Sequence, residues 1–324
     1  DMIHVGTVDG WKVVAQKAMG YKIGDLVIYF EIDSFIPHEL APFLTKEAAY
    51  PKEFNGVKGE RLRTIKLKGT TSQGLLMPLK EAYSYMDARE GVFAPSPEEG
   101  LDITEELGVQ KWEAPVPGQL AGQAQGTFPT HIVPKTDQER IQNMWREVDA
   151  RRDELFEMTL KLDGSSCTLF KKDGEVRVCS RNWELKVNEE NKNNTFISFA
   201  LKFGERLPEG YAFQGEAMGP GIQGNREQFK DHRFFVFEIV DLATRTKVDA
   251  DFRAKMVTTL GMDHAPLIGS YREFPFATLE EALAEVEKMK SINHPIAEGV
   301  VFKSLTDPEF SFKIISNKYL IRCE

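Results

Sequence analysis

Lys161-Leu162-Asp163-Gly164 is the stretch of sequence from which the rest of the chain is best interpreted. It brings a lysine, a carboxylate and a tight glycine turn close together, the groups needed to attack a nucleotide phosphate with an amine. A lysine side chain, with an ordinary pKa of about 10.4, is protonated and is no nucleophile. Burial and a neighbouring cation lower that pKa, and the lysine then becomes a covalent catalyst.

The same K-x-D-G pattern occurs again at Lys171-Lys172-Asp173-Gly174. This second copy lies between the apolar-rich runs 167–170 and 176–179, and Asp-Gly between two alternating runs predicts a hairpin turn. Its two lysines are therefore expected to be solvated at a hairpin tip. The first copy follows a strand pattern at 156–160, which predicts that Lys161 ends a strand and faces a cleft. On the motif alone, an ordinary surface lysine at a turn is an equally good interpretation.

Length and composition are typical of an ordinary globular protein. The chain has 324 residues, of which 41% are hydrophobic and 28% charged, and this length suggests two domains. No apolar run approaches the ~20 residues that span a membrane. The three cysteines show no metal-ligand spacing and cannot form a framework of paired bridges. We expect a soluble, intracellular protein that does not associate with membranes.

The net charge of −9 argues only superficially against a nucleic-acid partner, because basic residues cluster locally. One such cluster lies at 59–69. In one unbroken strand, Arg61 and Arg63 would share one face and Lys66 and Lys68 the other. Basic strand residues are usually just solvated, but they also suit a surface that follows phosphates. A nucleic-acid substrate is therefore not excluded.

The sequence divides into two regions and a connector. Short strand patterns dominate the first region and predict a small OB-like β-barrel domain over residues 1–100. Residues 101–135 are rich in proline and glycine and are expected to form a linker. Residues 136–324 mix helix and strand patterns. The expected class is α+β, with largely antiparallel sheets and flanking helices in the second domain.

Three helices are expected in the second region. Thr136 and Glu139 have capping-box spacing, which predicts a helix that points Ile141, Met144 and Trp145 inward. An apolar stripe predicts a second helix at 195–203. Thr278 and Glu281 begin the third.

The later strand patterns each carry or adjoin charged residues that an ordinary core strand would avoid. They are Glu216, Glu238, Glu298, Lys303 and Lys313. Charged residues are rarely fully buried unless paired, and singly each is most often an exposed strand residue. Together with Lys161, they suit a cleft that binds a triphosphate and a divalent cation.

The order of these motifs resembles the covalent nucleotidyltransferases, which include ATP-dependent DNA and RNA ligases and mRNA capping enzymes. The matching elements lie between Arg140 and Leu320: Lys161-x-Asp163-Gly164, Ser180-Arg181-Asn182, Glu216, 234–239, 298–303 and Phe312-Lys313. The segments 29–34, 60–68 and 72–75 look like the OB-type domain that precedes the catalytic domain in one group of ATP-dependent RNA ligases. DNA ligases and capping enzymes generally place that domain after the last lysine motif.

The resemblance therefore implies an ATP-dependent RNA ligase. Such an enzyme joins RNA 3′-OH and 5′-phosphate ends through lysyl-AMP and RNA-adenylate intermediates. Two alternatives stay open: a GTP-using capping-type nucleotidyltransferase, and a noncatalytic OB-containing RNA-binding protein.

The resemblance also implies roles for individual residues. Lys161 would attack the α-phosphate of ATP, while Asp163, Glu216 and Glu298 would hold Mg²⁺ or Mn²⁺ through waters. Nucleotide contacts are expected from Arg140, Leu160, Ser166, Arg181, Glu216, Phe237, Glu298, Lys303 and Lys313.

Four of these contacts have a specified partner. Phe237 would stack on adenine, Lys313 would neutralise the α-phosphate with Lys303 adding to its field, and Arg140, on the first predicted helix, would contact the β- and γ-phosphates. The ordinary alternatives are a core aromatic for Phe237 and a helix-surface residue for Arg140. Many RNA ligases have a second lysine where this chain has Ile315, and Lys318 is the candidate replacement.

Overall fold

The structure is a computed structural model that describes residues 3–47, 49–112 and 122–322. The chain divides into two compact units, residues 1–115 and 116–324. The predicted linker, 101–135, includes residues 113–121, which lie outside the described residues. On either side of them the structure has short strands, Gln110–Lys111 and Ala124–Thr127, where the composition suggested only a connector.

The first unit consists of short β-strands and one α-helix among its described residues. The elements are β1 (Ile3–Val8), β2 (Trp11–Gln16), β3 (Val27–Phe30), β4 (Ser34–Pro37), β5 (Lys52–Phe54), β6 (Val57–Arg61), β7 (Ile65–Leu67), β8 (Thr70–Ser72), β9 (Leu75–Pro78), α1 (Leu79–Asp87) and β10 (Gln110–Lys111). Four strands pair in the order β10-β4-β6-β5, and the others form the pairs β1-β2, β3-β9 and β7-β8. Phe30, Ile36 and Met77 form its core with Ala82 and Met86 of α1.

The basic segment at 59–69 is not one unbroken strand, so the predicted division of its side chains between two faces is wrong. β6 ends at Arg61, whose guanidinium lies 2.6 Å from Asp33. A new strand begins at Ile65. Lys68 and Gly69, with φ of 46° and 86°, then form the turn of the β7-β8 hairpin.

The second unit holds two sheets and most of the helices. Its elements are β11 (Ala124–Thr127), β12 (Glu139–Arg140), α2 (Ile141–Ala150), β13 (Phe156–Lys161), β14 (Ser165–Lys172), β15 (Glu175–Ser180), β16 (Trp183–Leu185), α3 (Thr195–Phe203), β17 (Tyr211–Met218), β18 (Arg233–Asp241), β19 (Thr246–Lys247), α4 (Ala250–Thr259), β20 (Asp263–His264), β21 (Leu267–Tyr271), α5 (Leu279–Val286), β22 (Gly299–Ser304), β23 (Ser311–Ile315) and α6 (Asn317–Arg322).

The two sheets are largely antiparallel, as the sequence predicted. The larger has eight strands in the order β11-β16-β15-β14-β17-β18-β19, with β20 also paired to β18. The smaller has five strands in the order β12-β23-β22-β13-β21. Only β12-β23 and β18-β20 are parallel among the described pairs.

The hairpin predicted around the second K-x-D-G copy is confirmed. Thr168 of β14 lies opposite Cys179 of β15. Asp173 and Gly174 form the turn with φ of 53° and 79°, the left-handed values that a two-residue hairpin loop requires. The two lysines of this copy are half-buried at the end of the strand.

All three predicted helices are present, and two of them begin where the sequence predicted. α3 spans Thr195–Phe203, and the side chain of Asn194 caps it by accepting hydrogen bonds from two amides of the first turn. α5 spans Leu279–Val286, and the Thr278 hydroxyl accepts from the Glu281 amide at 3.1 Å.

The predicted start of the first helix at Thr136 is wrong. α2 begins at Ile141, and no side chain caps it. The residues just before it are extended because Glu139 and Arg140 pair with Phe312 and Lys313 of β23. Pairing with the sheet therefore overrides a local capping signal.

Apolar clusters cover each sheet and join the two. α3 and α4 pack on the larger sheet through side chains such as Phe199 and Val257, and α2 and α5 pack on the smaller sheet through Ile141 and Val286. A further cluster contains residues of both sheets: Leu160, Leu162, Met218, Phe235 and Ala297. This cluster brings the end of β13 close to β17 and β18. Among the described residues, no helix has the length and apolarity needed to cross a bilayer.

Candidate active site

Lys161 is the last residue of β13, at the strand end that the sequence predicted. In the antiparallel pair with β22 it lies opposite Gly299. This register sets its ammonium beside Glu298, with 2.5 Å between Lys161 Nζ and Glu298 Oε1. Gly299 has no side chain, and a Cβ there would lie 2.2 Å from the Ile314 carbonyl oxygen. The glycine thus allows β22 and β23 to run close together next to the lysine.

Glu216, on β17 of the larger sheet, also lies near Lys161. It lies opposite Ser166 in the β14-β17 pair, and its Oε1 accepts a hydrogen bond of 3.0 Å from the Gly164 amide. A Cβ on Gly164 would lie 2.4 Å from the Ala217 carbonyl oxygen. The glycine of the first K-x-D-G motif is therefore needed for close approach of the turn to β17.

Asp163 is held by residues that the sequence patterns did not single out. Its Oδ2 accepts a hydrogen bond of 2.8 Å from Arg226, whose guanidinium carbon lies 4.8 Å from the centre of the Tyr319 ring on α6. Arg226 lies in the loop between β17 and β18. A loop arginine and a helix tyrosine carry no periodic or motif signal, so only the folded chain reveals this contact.

The charges around Lys161 determine its protonation. Burial lowers the pKa of Lys161, but the carboxylates of Glu298, Glu216 and Asp163 outweigh burial, and the pKa is raised above its ordinary value. Burial raises the pKa of Glu216 to about 8; Glu298 and Asp163 add to this rise, and Lys161 opposes it. Burial likewise raises the pKa of Glu298 against the influence of Lys161. The protonation of Lys161 is therefore coupled to that of Glu216 and Glu298.

Lys313 and Arg140 add positive charge to the same site. They lie opposite each other in the parallel β12-β23 pair. Burial, followed by the charges of Lys161 and Arg140, lowers the pKa of Lys313 to about 8, although Asp137 and Glu298 oppose the change. Arg140 therefore lies at a strand end before α2, and not on the helix as predicted.

Asp137 is a second residue whose place in the site the sequence did not reveal. Its carboxylate lies 3.3 Å from Arg181 Nη2 and 3.9 Å from Lys313 Nζ. Arg181 is half exposed between β15 and β16. The sequence analysis treated Asp137 only as part of the capping box that begins at Thr136. It therefore did not predict that Asp137 lies between Arg181 and Lys313.

Phe237 differs from its neighbours in β18. Gln214 pairs with Glu238 and Gly215 with Val236, so Phe237 forms a bulge between two matched positions. The ring is half-buried, although the residues on either side are buried. A partly exposed aromatic in a buried strand offers a flat surface for stacking.

Lys303, which was predicted to add its charge to the phosphates, binds protein groups in the structure, and its role stays a prediction. The residue is only 3% exposed. Its ammonium donates to Glu238 at 2.8 Å and to the main-chain carbonyl of Phe237. Arg253 also contacts Glu238, at 3.5 Å, and binds Glu157 on β13. The position of Lys303 in its strand pattern marked it as an unusual charged residue, but it could not identify Glu238 as its partner.

The remaining predicted residues occupy different surroundings. Ser166 lies beside Glu216. Leu160 is buried in the cluster that joins the sheets, and its amide donates to the Pro266 carbonyl at 2.8 Å, so any nucleotide contact would come from its main chain. Lys318 is exposed on α6, and its suggested role as a replacement lysine stays a prediction.

The donor set suits a cation that keeps its water. Within 3–47, 49–112 and 122–322, no three His, Cys, Asp or Glu side chains are arranged to bind a metal ion directly. Asp163, Glu216 and Glu298 nevertheless all interact electrostatically with Lys161. Magnesium and similar ions commonly retain several waters and bind through few carboxylates, so these three residues fit a water-mediated site.

Comparison with known proteins identifies relatives of both regions. The RNA ligase family model matches residues 154–315, and an OB-fold domain model matches residues 1–79. No curated protein sequence matches the chain.

Solved structures of a Naegleria gruberi RNA ligase match nearly the whole chain. A mutant with ATP and Mn is 36% identical with a TM-score of 0.81, and the match covers 98% of this chain and 93% of that one. A mutant with AMP and Mn gives the same values. The structure with PPi is 36% identical with a TM-score of 0.79, and the match covers 99% and 93% of the two chains.

Proposed function

Because the chain belongs to the RNA ligase family and is an ATP-dependent RNA ligase that acts on RNA ends, we propose that Lys161 is the residue that becomes joined to AMP. One observation carries this assignment: the Lys161 ammonium lies beside Glu298 and within the field of Glu216 and Asp163. The second K-x-D-G copy belongs to a hairpin turn and has no such surroundings among its described contacts.

Catalysis proceeds in three transfers at phosphorus. Lys161 Nζ, after losing its proton, attacks the α-phosphorus of ATP; the N–P bond forms and pyrophosphate leaves. The 5′-phosphate oxygen of one RNA end then attacks the same phosphorus, and the amine leaves. Finally the 3′-OH of the other end attacks the activated 5′-phosphate, and AMP leaves. Positioning and charge neutralisation supply most of the catalysis in such displacements.

The three carboxylates prepare Lys161 for the first step. They keep the ammonium protonated in the protein alone because they raise its pKa. These carboxylates would hold Mg²⁺ or Mn²⁺, which would neutralise their charge, and burial, which lowers the pKa of Lys161, would then favour the neutral amine. The Naegleria structures with ATP and Mn support the use of a divalent cation by this chain.

Lys313, Arg140 and Arg181 are proposed to bind the phosphates. Lys313 lies near Lys161, and its pKa of about 8 is the result of burial and of neighbouring cations. An incoming phosphate would raise that pKa and keep the ammonium charged. Arg181 and Lys313, which both lie near Asp137, would exchange this carboxylate for the phosphates.

Phe237 is proposed to stack on adenine, since its ring is half-buried on a bulge of β18. Ser166, beside Glu216, and the main chain of Leu160 are proposed to complete the nucleotide contacts. We assign the OB-like domain to residues 1–100 and the adenylyltransferase domain to 136–324. The unpaired, buried thiols of Cys167 and Cys179 support a reducing, intracellular setting.

Labelling with α-³²P-ATP and Mg²⁺ or Mn²⁺ tests the assignment. We expect label on the native chain and on Lys171→Ala, the matched lysine of the second K-x-D-G copy, and none on Lys161→Ala. Label on Lys161→Ala equal to that of the native chain would contradict the assignment. Preferential labelling from GTP would contradict the use of ATP. A sealing assay on RNA with 3′-OH and 5′-phosphate ends measures the two later transfers.

A further inference from the structure

Arg226 connects three segments of the second unit that are distant in sequence. Its Nη1 donates to Asp163 at 2.8 Å, and its Nη2 donates to the Ile296 carbonyl at 3.2 Å. Nη2 also lies 3.0 Å from His294 Nδ1. The guanidinium carbon lies 4.8 Å from the centre of the Tyr319 ring. One side chain thus joins the K-x-D-G turn, the segment before β22 and helix α6.

His294 Nδ1 lies within hydrogen-bond distance of three groups. Arg226 Nη2 and the Ile296 amide, which can only donate, lie 3.0 and 3.1 Å away. The Ile296 carbonyl oxygen, which can only accept, lies 2.9 Å away. The ring tautomer decides which of these hydrogen bonds form, and in either tautomer His294 contacts both the arginine and the chain two residues before Glu298.

Glu227, next to Arg226, holds the same segment. Its carboxylate accepts a hydrogen bond of 2.5 Å from the Asn293 amide, and its main-chain carbonyl accepts one of 3.0 Å from the Asn293 side chain. Glu227 is 3% exposed. Because a buried carboxylate of this kind is costly to move, the loop that carries Arg226 is firmly attached to the segment leading to Glu298.

We propose that Arg226 is a positioning residue that fixes Asp163 and the Glu298 segment so that both carboxylates face the catalytic cation. The inference rests on the proposed function, because it takes the cation to bind at Asp163, Glu216 and Glu298. Arg226 contacts the carboxylate and not the reacting atoms. Residues that hold metal-binding groups in this way commonly affect metal affinity or activity by about 10–100-fold.

The position requires arginine in particular. Nη1 and Nη2 point at two different partners at once while the flat guanidinium lies near an aromatic ring. A lysine keeps the charge but has a single nitrogen and no flat face, and it cannot reproduce all three contacts. Arg226→Lys should therefore only partly preserve the positioning of Asp163 and of the segment before Glu298.

Mn²⁺ binding provides a test that does not depend on turnover. Free Mn²⁺ is measured by electron paramagnetic resonance in the presence of ATP, with all proteins in a Lys161→Ala background so that no lysyl-AMP forms. We expect Arg226→Ala to weaken Mn²⁺ binding about 10–100-fold, and Arg226→Lys to lie between Arg226→Ala and the parent. Arg152→Ala is the matched control, because Arg152, two residues after the end of α2, also joins a carboxylate, that of Asp149, and a main-chain carbonyl, that of Phe276. It should leave binding unchanged.

Rescue separates positioning from a general effect on folding. With Lys161 present, Arg226→Ala should need correspondingly more Mn²⁺ for half-maximal labelling, and added guanidinium ion should restore part of the rate. Unchanged Mn²⁺ binding by Arg226→Ala would overturn the inference. The inference would also be overturned if Arg226→Ala lost labelling and thermal stability together, while its Mn²⁺ requirement stayed unaltered and guanidinium ion gave no rescue. Failure of the native chain to label contradicts the proposed function instead, while the binding measurement still tests Arg226.

Discussion

The ammonium of Lys161 and the carboxylate of Glu298 lie 2.5 Å apart, Nζ to Oε1, in a partly buried ion pair. The proposed nucleophile is therefore bound to one of the residues proposed to hold its cation. Burial alone would lower the pKa of Lys161, but Glu298, Glu216 and Asp163 raise it. This pair therefore favours the protonated amine in the protein alone.

Replacing Glu298 by glutamine should make the Lys161 amine reactive at lower pH in cation-free protein. The substitution removes the strongest of the influences that raise the pKa of Lys161, whereas burial remains. The pH dependence of Lys161 modification by an amine-specific reagent, followed by mass spectrometry, measures this shift. Adenylylation with ATP and Mn²⁺ should nevertheless fall, by about 100-fold, because a cation-binding group is lost.

Glu285→Gln is the matched control for this experiment. Glu285 and Lys288 also lie 2.5 Å apart, but both side chains are exposed on the outside of the unit. Exposed pairs contribute little, so neither Lys161 modification nor adenylylation should change. An unshifted modification profile in Glu298→Gln would show that Glu298 does not control the protonation of Lys161.

Glu216 should make the cation-free protein less stable as the pH rises. Its pKa is raised from 4.5 to about 8, first by burial. A group whose pKa is raised on folding contributes stability that is fully present below its unfolded pKa and is lost as the pH rises through the folded pKa. The contribution of Glu216 is therefore lost between pH 4.5 and about 8. Thermal unfolding in the presence of a chelator measures it.

Glu216→Gln should flatten this dependence, since glutamine does not titrate while it still accepts a hydrogen bond from Gly164. The Tm difference between native protein and the variant should shift in favour of the variant as the pH increases across that window. Saturating Mn²⁺ should reduce the loss in the native chain, because the cation competes with the proton for the carboxylate. If the Tm difference between the native protein and Glu216→Gln stays constant with pH, Glu216 is not the source of the pH dependence of stability.

Much of the architecture could be predicted from the sequence because it follows from local patterns. The Asp173-Gly174 hairpin and the helix at 195–203 have periodicity or turn chemistry that few alternatives satisfy. The predicted helix start at Thr136 was wrong because the residues just before α2 pair with β23. That strand lies far from Thr136 in the sequence, so local residues around Thr136 do not reveal the pairing. Local signals are reliable only where no distant strand competes for the same backbone.

The site was only partly predictable, for a related reason. Motif order led to Lys161, and the structure gives it Glu298 as a partner. Spacing along a strand does not determine which side chains meet in the fold, so the ion pair of Lys303 with Glu238 could not be predicted. Asp137 and Arg226 have partners far along the chain, and a single sequence carries no signal for such contacts.

The glycines of the two K-x-D-G copies should differ in their effect on catalysis. A Cβ at Gly164 would lie 2.4 Å from the Ala217 carbonyl oxygen and 3.0 Å from Glu216 Cγ. Gly164→Ala should therefore push the turn away from β17, cost about 1–3 kcal/mol of stability and strongly reduce labelling with ATP.

Gly174→Ala separates the effect on the site from the effect on stability. Nothing lies within 4 Å of a Cβ there, but φ is +79°, so alanine costs roughly 1–2 kcal/mol through backbone strain alone. Both variants should unfold at lower temperature, while only Gly164→Ala should lose labelling under conditions where both are folded. Equal loss of labelling in the two would mean that stability, and not the position of Glu216, limits the reaction.

Phe237 should determine how tightly ATP binds without determining how fast the bound complex reacts. Stacking of a base on an aromatic ring contributes about 1–3 kcal/mol, so Phe237→Ala should raise the KM for ATP by about tenfold or more while kcat changes little. Phe237→Trp keeps a flat aromatic face and should stay near the native KM. Sealing of a pre-adenylated RNA, which needs no ATP, should be affected much less by Phe237→Ala. Because Lys303 donates to the Phe237 carbonyl, which every substitution retains, the strand should keep its bulge. A KM unchanged by Phe237→Ala would make Phe237 the core aromatic of the alternative interpretation.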